Sequence, residues 1–318
     1  MGRRRGRRRG KGTKGGLKGE KVTIKLLHAN LQGFVSKQSS IDEILTNKTP
    51  DVYCVNETAL KGKRKIKVKN YFAFCRNREK HMGGIATMVA NYLRPNTVKV
   101  AEGKGEDEYI ITRLDHVFPP LNVVNIYGEQ EKGDEEKGKK EKILESWRRH
   151  QDELEEIEKR NENVVILGDM NRAVGLGEWG VPGNKPAISC GGQLLRDLFS
   201  SKKYILLNSL PLAEGGPWTW VDRSNSEVKS CLDLGIMSAG LLPFLTTFLV
   251  DSEQKFTPRR IRRTRKGLKS TYSDHYSLEL VLTGLPRARR EKEQEEESCT
   301  WNLRKDGGWE KFKKADRR

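Results

Sequence analysis

A layered α/β fold follows from three features of the sequence. Short apolar runs rich in β-branched residues, such as Val164-Val165-Ile166-Leu167, read as strands buried on both faces. Stretches of helical period lie between some of them; Ile143, Trp147, Leu154 and Ile157 share one helix face. Polar residues stand where several strands end, and layered α/β proteins build their sites at strand carboxyl ends.

Residues 1–21 hold ten Lys and Arg against one Glu among glycines. Such a segment cannot bury a core and is expected to be a disordered basic tail. It is either a nuclear-localisation or phosphate-binding arm, or a solvated tail. Residues 22–28 are the first strand. Ser40-Ile41-Asp42-Glu43 has the form of a capping box opening a helix through Leu45, which Pro50 stops. Residues 51–58 are the second strand, and 61–69 a basic loop. Further strands are expected at 71–75, 84–89, 97–101, 109–114 and 121–127, the later ones spaced as in an antiparallel run. A charged loop over 129–142 leads into a long amphipathic helix that crosses to the strand of Val164. Gly- and Pro-rich sequence to Gly192 is a long loop. Leu194, Leu195, Leu198 and Phe199 form a helix face; strands follow at 204–207 and 218–221. Residues 230–237 read as a buried strand with Asp233 in its middle, an acid that needs a partner if buried. After a strand at 244–250 comes the basic run 259–269, read as a solvated loop or a phosphate contact. Ser273-Asp274-His275 opens the closing strand, 276–282, and 285–318 are a charged linker.

The net charge of +18 predicts a polyanionic partner, nucleic acid first and acidic membrane second. Five widely spaced cysteines show no zinc-ligand pattern and no secretory framework, so a reducing compartment is expected. No apolar run approaches the roughly 20 residues of a membrane span.

Asp169 and Asn171 lie two apart in an extended segment and point the same way. Together they suit a water, a phosphate or a hard metal ion; the competing reading is an Asx turn ending the strand. Gly168 is expected to let the chain turn tightly before them. Asn30, Glu57, Tyr127, Asp233, Asp274 and His275 complete the polar set, while His28 and His81 read as ordinary core histidines.

The ordered segments His28-Ala29-Asn30-Leu31, Asn56-Glu57-Thr58, Asn125-Ile126-Tyr127, Gly168-Asp169-Met170-Asn171, Ser230-Cys231-Leu232-Asp233 and Ser273-Asp274-His275 resemble the endonuclease/exonuclease/phosphatase superfamily over about residues 22–284. Within it the chain is most similar to the apurinic-type endonuclease domain of LINE-type (non-LTR) retrotransposons. Tyr127 stands where deoxyribonuclease I-like members carry His. Trp301-Asn302-Leu303 and Trp309-Glu310-Lys311-Phe312 resemble the connector to reverse transcriptase in those polyproteins, which would make the chain a fragment or a degenerate copy. Asn56, where the family often has Gln, and Leu232-Asp233-Leu234-Gly235-Ile236, where it often has Ile-Asp-Tyr-Ile, are departures that remove no catalytic group.

The resemblance implies a four-layered α/β sandwich of two packed mixed sheets flanked by helices, of deoxyribonuclease I type. It implies Mg²⁺, or Mn²⁺ in its place, held by Glu57 with Asn30 and Asp274. It also implies a catalytic set of Tyr127, Asp169, Asn171, Asp233 and His275, supported by Thr219 and Ser273. Either Asp169 or His275 would be the general base. Arg259, Arg260, Arg262, Arg263, Arg265 and Lys266 are expected on the phosphate backbone, with the 61–69 loop on the same rim. The implied activity is nicking of DNA to a 3′ hydroxyl, as in target-primed reverse transcription. A monomer acting in the nucleus, or in the cytoplasm before nuclear entry, is expected, with DNA as partner and no membrane. The alternatives are a phosphatase of the same fold acting on inositol phosphates or sphingolipids, and an inactive copy that only binds nucleic acid.

Overall fold

The structure, a computed structural model, describes residues 20–78, 83–93, 97–100, 108–128, 137–175, 190–201, 203–264 and 267–288. The tail at 1–19, His81, residues 129–136, most of the Gly- and Pro-rich loop, Arg265, Lys266 and the linker from 289 onward lie outside the described residues.

One sheet has seven strands in the order β10 (Ala213–Glu214), β14 (Leu245–Val250), β17 (Leu278–Pro286), β1 (Lys21–Asn30), β2 (Val52–Asn56), β4 (Ile85–Ala90) and β3 (Tyr71–Arg76). The other has six: β5 (Thr97–Val100), β6 (Glu108–Leu114), β7 (Leu121–Tyr127), β8 (Asn163–Asp169), β13 (Asp233–Ser238) and β9 (Tyr204–Leu206). Both are mixed: β1 runs parallel to β2, and β7 to β8.

The period of two explains the layering. Leu26, Val52 and Cys54 face Val123, Val165 and Leu167 between the sheets. Their neighbours Leu27, Tyr53 and Val55 face outward onto Ile41, Ile44 and Leu45 of α1 (Gln38–Lys48). In the second sheet Val164 and Ile166 face outward onto α2 (Lys137–Lys159) and α3 (Cys190–Ser200), through Trp147, Leu154, Ile157 and Leu195. The Val164–Leu167 run is therefore covered on both faces, and the order helix, sheet, sheet, helices is the expected four-layered sandwich. Complete burial of a Leu or Val in it contributes about 1.5–3 kcal/mol.

Several local expectations are corrected. The capping box does not form: a short 3₁₀ turn, Val35–Lys37, feeds α1 from Gln38, and Ser40 Oγ instead accepts the Arg259 amide at 3.2 Å. The second long helix already begins at Lys137, inside the stretch read as loop. The 230–237 strand is interrupted, because Thr219 Oγ1 accepts the Leu232 and Asp233 amides at 2.9 Å each and replaces the ladder there. The basic run is no loop. Its described part forms an antiparallel ribbon of β15 (Arg259–Thr264) and β16 (Gly267–Tyr272), separate from the shorter pair β11 (Trp220–Val221) and β12 (Lys229–Ser230).

Gly168 lies within β8 rather than in a turn, and close approach is what requires it. A Cβ there would stand 1.9 Å from the Ile126 carbonyl oxygen of the adjacent strand. Backbone cannot yield as a side chain tip can. Gly168→Ala should therefore lower stability by about 3 kcal/mol, read as a shifted urea midpoint; an unmoved midpoint would contradict this.

Candidate active site

Strand register assembles the site. The β7–β8 pairing sets Tyr127 opposite Asp169, and the β8–β13 pairing sets Asp169 opposite Asp233, so the three form one row across the ends of adjacent strands. In the facing sheet Asn30 pairs with Asn56, one residue before Glu57.

Asn30 joins the two sheets at this end. Its Nδ2 donates to Glu57 Oε1 at 3.0 Å and to Asp169 Oδ2 at 2.9 Å. The Tyr127 hydroxyl donates to the same Glu57 Oε1 at 3.1 Å. Glu57 Oε2 is buried without a hydrogen-bond partner. Glu57 adopts a φ of +51°, a conformation that residues other than glycine and asparagine rarely occupy, whereas the +48° of Asn171 is one that asparagine tolerates. Glu57 is clamped there from both sides: its carbonyl accepts the Gly33 amide at 2.8 Å, and the next amide, Thr58, donates to Gly84 O at 2.9 Å. Strain of this kind, of order 1–3 kcal/mol per residue, collects at functional sites.

Asp169 Oδ1 accepts the Asn171 amide at 3.0 Å, and Asn171 Nδ2 donates to Gly128 O at 2.8 Å. The Asx turn and the site are therefore one structure. His275 Nδ1 lies 2.8 Å from Asp233 Oδ2 and 3.9 Å from Asp169 Oδ2. Burial alone would lower the His275 pKa, but Asp233 and Asp169 outweigh it and hold the imidazole charged well above its usual range. Burial, with Asp233 and Glu57 nearby, raises Asp169 above the ordinary carboxylate range against the pull of His275. Burial, then Glu57 and Asp169, raises the Tyr127 phenol, so it stays a proton donor. Thr219 fixes Asp233 through the two amide bonds described above, and Ser273 Oγ accepts the His275 amide at 3.3 Å.

Asp274 stands apart from Glu57 in its bonding. It accepts a hydrogen bond from Gln32 Nε2 and has Arg223 Nε at 3.7 Å, and Arg223 also donates to Gln32 Oε1. Arg260, Arg262 and Arg263 are exposed on the ribbon, while Arg259 at its base reaches Glu43 at 3.3 Å. The 61–69 loop follows Glu57 and is largely exposed.

Asp169, Asp233 and His275 bring one ligand atom each to within 4.8 Å of one another, a grouping that could hold a metal ion. In that grouping, however, the His275 Nδ1 is already engaged by Asp233 Oδ2 at 2.8 Å. Glu57 fits better: its free Oε2 is a buried, unpartnered carboxylate oxygen beside the Asn30 amide, and oxygen donors suit a hard divalent ion.

Sequence reasoning passed over the floor of this site. Asn56 Oδ1 accepts the Asp169 amide at 2.9 Å and His28 Nε2 at 2.7 Å, while its Nδ2 donates to Asn125 Oδ1 at 2.8 Å. Asn125 in turn donates to Ala86 O at 2.9 Å. This amide chain ties one sheet to the other directly beneath Asp169. His28 is a buried core histidine as expected, but its Nδ1 also lies 3.7 Å from Asp233 Oδ1. The available signal was polar residues inside otherwise apolar strands.

The sequence matches no protein-family model and no curated protein. Solved structures do resemble it. An AP endonuclease from Archaeoglobus fulgidus superposes with a TM-score of 0.61 at 16% identity, covering 81% of this chain and 99% of that one. The 3′ phosphatase NExo from Neisseria, in a structure bound to product DNA hairpin, gives 0.60 at 18% identity, covering 81% and 98%. The endonuclease domain of TRAS1, a telomere-specific non-LTR retrotransposon, gives 0.50 at 16% identity, covering 82% and 98%. At these identities the likeness establishes the fold, that of the deoxyribonuclease I-like sandwich.

Proposed function

We propose that this chain is a divalent-metal-dependent DNA endonuclease that nicks one strand and leaves a 3′ hydroxyl. The observation that carries the reading is Asn30 bridging Glu57 and Asp169, with one Glu57 oxygen left buried and unpartnered. Glu57 and Asn30 would hold the ion, Mg²⁺ or Mn²⁺, with Asp274 joining if Arg223 and Gln32 release it. When bound, the ion supplies positive charge to the phosphate and the leaving oxygen.

The protein groups divide the remaining chemistry. Asp169, oriented by Asn30 and the Asn171 amide, accepts the proton of the attacking water; its raised affinity for a proton suits that role. Asn171 positions the water. His275, charged and held by Asp233, donates its other ring N–H to a phosphate oxygen. Tyr127 donates a hydrogen bond to charge developing at phosphorus. The exposed arginines of the ribbon add affinity for the phosphate backbone without reading sequence. The likeness to the TRAS1 domain supports a retrotransposon setting, in which the new 3′ hydroxyl would prime reverse transcription in the nucleus.

The test is supercoiled plasmid incubated with Mg²⁺ or with EDTA. Wild type should give open circles in Mg²⁺ only, and Glu57→Gln should give fewer by about 10²-fold or more, as for loss of a charge-stabilising group. Folded wild type that leaves the plasmid supercoiled would overturn the reading, and release of phosphate from a soluble phosphomonoester would redirect it to a phosphatase.

A further inference from the structure

His28 is fully buried, and the proposed chemistry leaves it unused. It lies on β1 two residues after Leu26 and two before Asn30, so all three point between the sheets. Leu26 belongs to the apolar core there, and packing alone asks for nothing more. His28 instead turns both ring nitrogens to polar groups. Its Nε2 lies 2.7 Å from Asn56 Oδ1, and its Nδ1 lies 3.7 Å from Asp233 Oδ1.

The backbone fixes which nitrogen carries a proton. Asn125 Nδ2 donates to Ala86 O at 2.9 Å, so Asn125 Oδ1 is the atom turned to Asn56, and it accepts Asn56 Nδ2 at 2.8 Å. Asn56 Oδ1 therefore faces the other way, where it accepts the Asp169 amide at 2.9 Å. A carboxamide oxygen only accepts, so His28 Nε2 carries a proton and donates it. Two donors, the Asp169 amide and His28, thus hold one oxygen between them. On its other side His28 Nδ1 lies beyond hydrogen-bond reach of Asp233 Oδ1, and both atoms are buried without a partner. The ring is a wall there. It leaves Oδ2 as the oxygen that Asp233 turns to His275, at 2.8 Å.

From this we infer that His28 is a positioning residue for the reaction. Through Nε2–H it fixes the Asn56 carboxamide, and through that the amide and carboxylate of Asp169. With its ring it backs the Asp233 side chain on the side away from His275. One side chain of the first sheet thereby registers two acids that different strands of the second sheet supply, Asp169 from β8 and Asp233 from β13. A displacement of about 1 Å in a reacting group can cost 10²-fold in rate, so a rigid donor beneath Asp169 acts on kcat and not on substrate binding. The inference deepens the proposed function and rests on it, since Asp169 must act in the reaction.

The experiment compares two variants of the full chain. His28→Leu fills similar volume without a donor. His28→Gln carries an amide nitrogen as many bonds from Cα as the imidazole Nε2, so it can still donate to Asn56. In plasmid nicking with Mg²⁺, His28→Leu should lose about 10–10²-fold in kcat with KM unchanged, and His28→Gln should recover most of that loss. In an Asn56→Leu background His28→Leu should cost little more, because both act through one contact. A second readout needs no nicking: backbone hydrogen exchange in protein labelled at aspartate. The Asp169 amide should exchange about tenfold faster in His28→Leu, relative to the Asp251 amide, which is bonded to Ser277 O at 2.9 Å. Circular dichroism checks the fold, and if His28→Leu does not fold, His28→Asn, too short to reach Asn56, takes its place with the same outcomes. Wild-type kcat without the donor, a loss confined to KM, no recovery with Gln, additive losses in the double variant, or unchanged exchange at Asp169 would each overturn the inference. The outcomes separate from those of the endonuclease test. A protein whose Asp169 amide depends on His28 yet never nicks loses only the endonuclease reading. One that nicks with indifference to His28 loses only the positioning role.

Discussion

Asp169→Asn should lower the nicking rate by about 10²–10⁴-fold, the usual contribution of a general base. The residue is 1% exposed, and both its oxygens are engaged, Oδ2 with Asn30 and Oδ1 with the Asn171 amide. An amide of the same shape keeps one acceptor but turns an NH₂ group toward a donor, and it cannot accept a proton from water. The pH profile makes the assignment specific. Burial first, then Asp233 and Glu57, lift the carboxyl above its ordinary range, and only its ionised form is a base. Wild-type rate should therefore fall as pH drops, and begin to fall at higher pH than an ordinary carboxylate would dictate. Asp169→Asn should lack that acid limb in its residual rate. Retention of activity within tenfold, or an acid limb that survives the substitution, would remove Asp169 from the role.

The site is divided unevenly between what the sequence states and what it conceals. Asn30, Asp169 and Asp233 were visible because each stands at or within a recognisable strand, and strands in a two-sheet sandwich bring their ends to one edge. Tyr127 became legible for the same reason, although alone it is an edge aromatic. The amide chain His28–Asn56–Asn125 was not legible as part of the site. Its members lie in different strands, and only the packing of one sheet on the other brings Asn56 to the Asp169 amide. Arg223 and Gln32 were hidden for a related reason: they reach Asp274 from two separate loops. The ribbon defeated pattern reading outright. A strand is recognised by one buried face, and β15 and β16 are exposed on both. Gly168 was identified as special for the wrong cause, since the clash that demands glycine comes from a neighbouring strand and not from a turn.

His275→Ala is expected to have the largest effect on stability. The imidazole is 5% exposed and lies between two buried carboxylates, 2.8 Å from Asp233 and 3.9 Å from Asp169. Removing one partner of a buried ion pair leaves an uncompensated charge and costs about 3–5 kcal/mol. The pH dependence follows from the direction of the shift. Burial pulls the His275 pKa down, Asp233 and Asp169 pull it up by more, and it ends above its value in the unfolded chain. The stabilisation is then fully present below about pH 6.5, the unfolded histidine value, and is lost as pH rises through the higher folded value. The wild type should melt at progressively lower temperature as the solution is made alkaline across that window. The variant should start lower and change less, so the gap between the two narrows with rising pH. Thermal melts of both proteins across the window measure this directly. A gap that stays constant would mean that His275 contributes packing and not charge. In that case Asp233 would be orienting a neutral ring, and the donation of an N–H from an imidazolium to the phosphate would have to be given up.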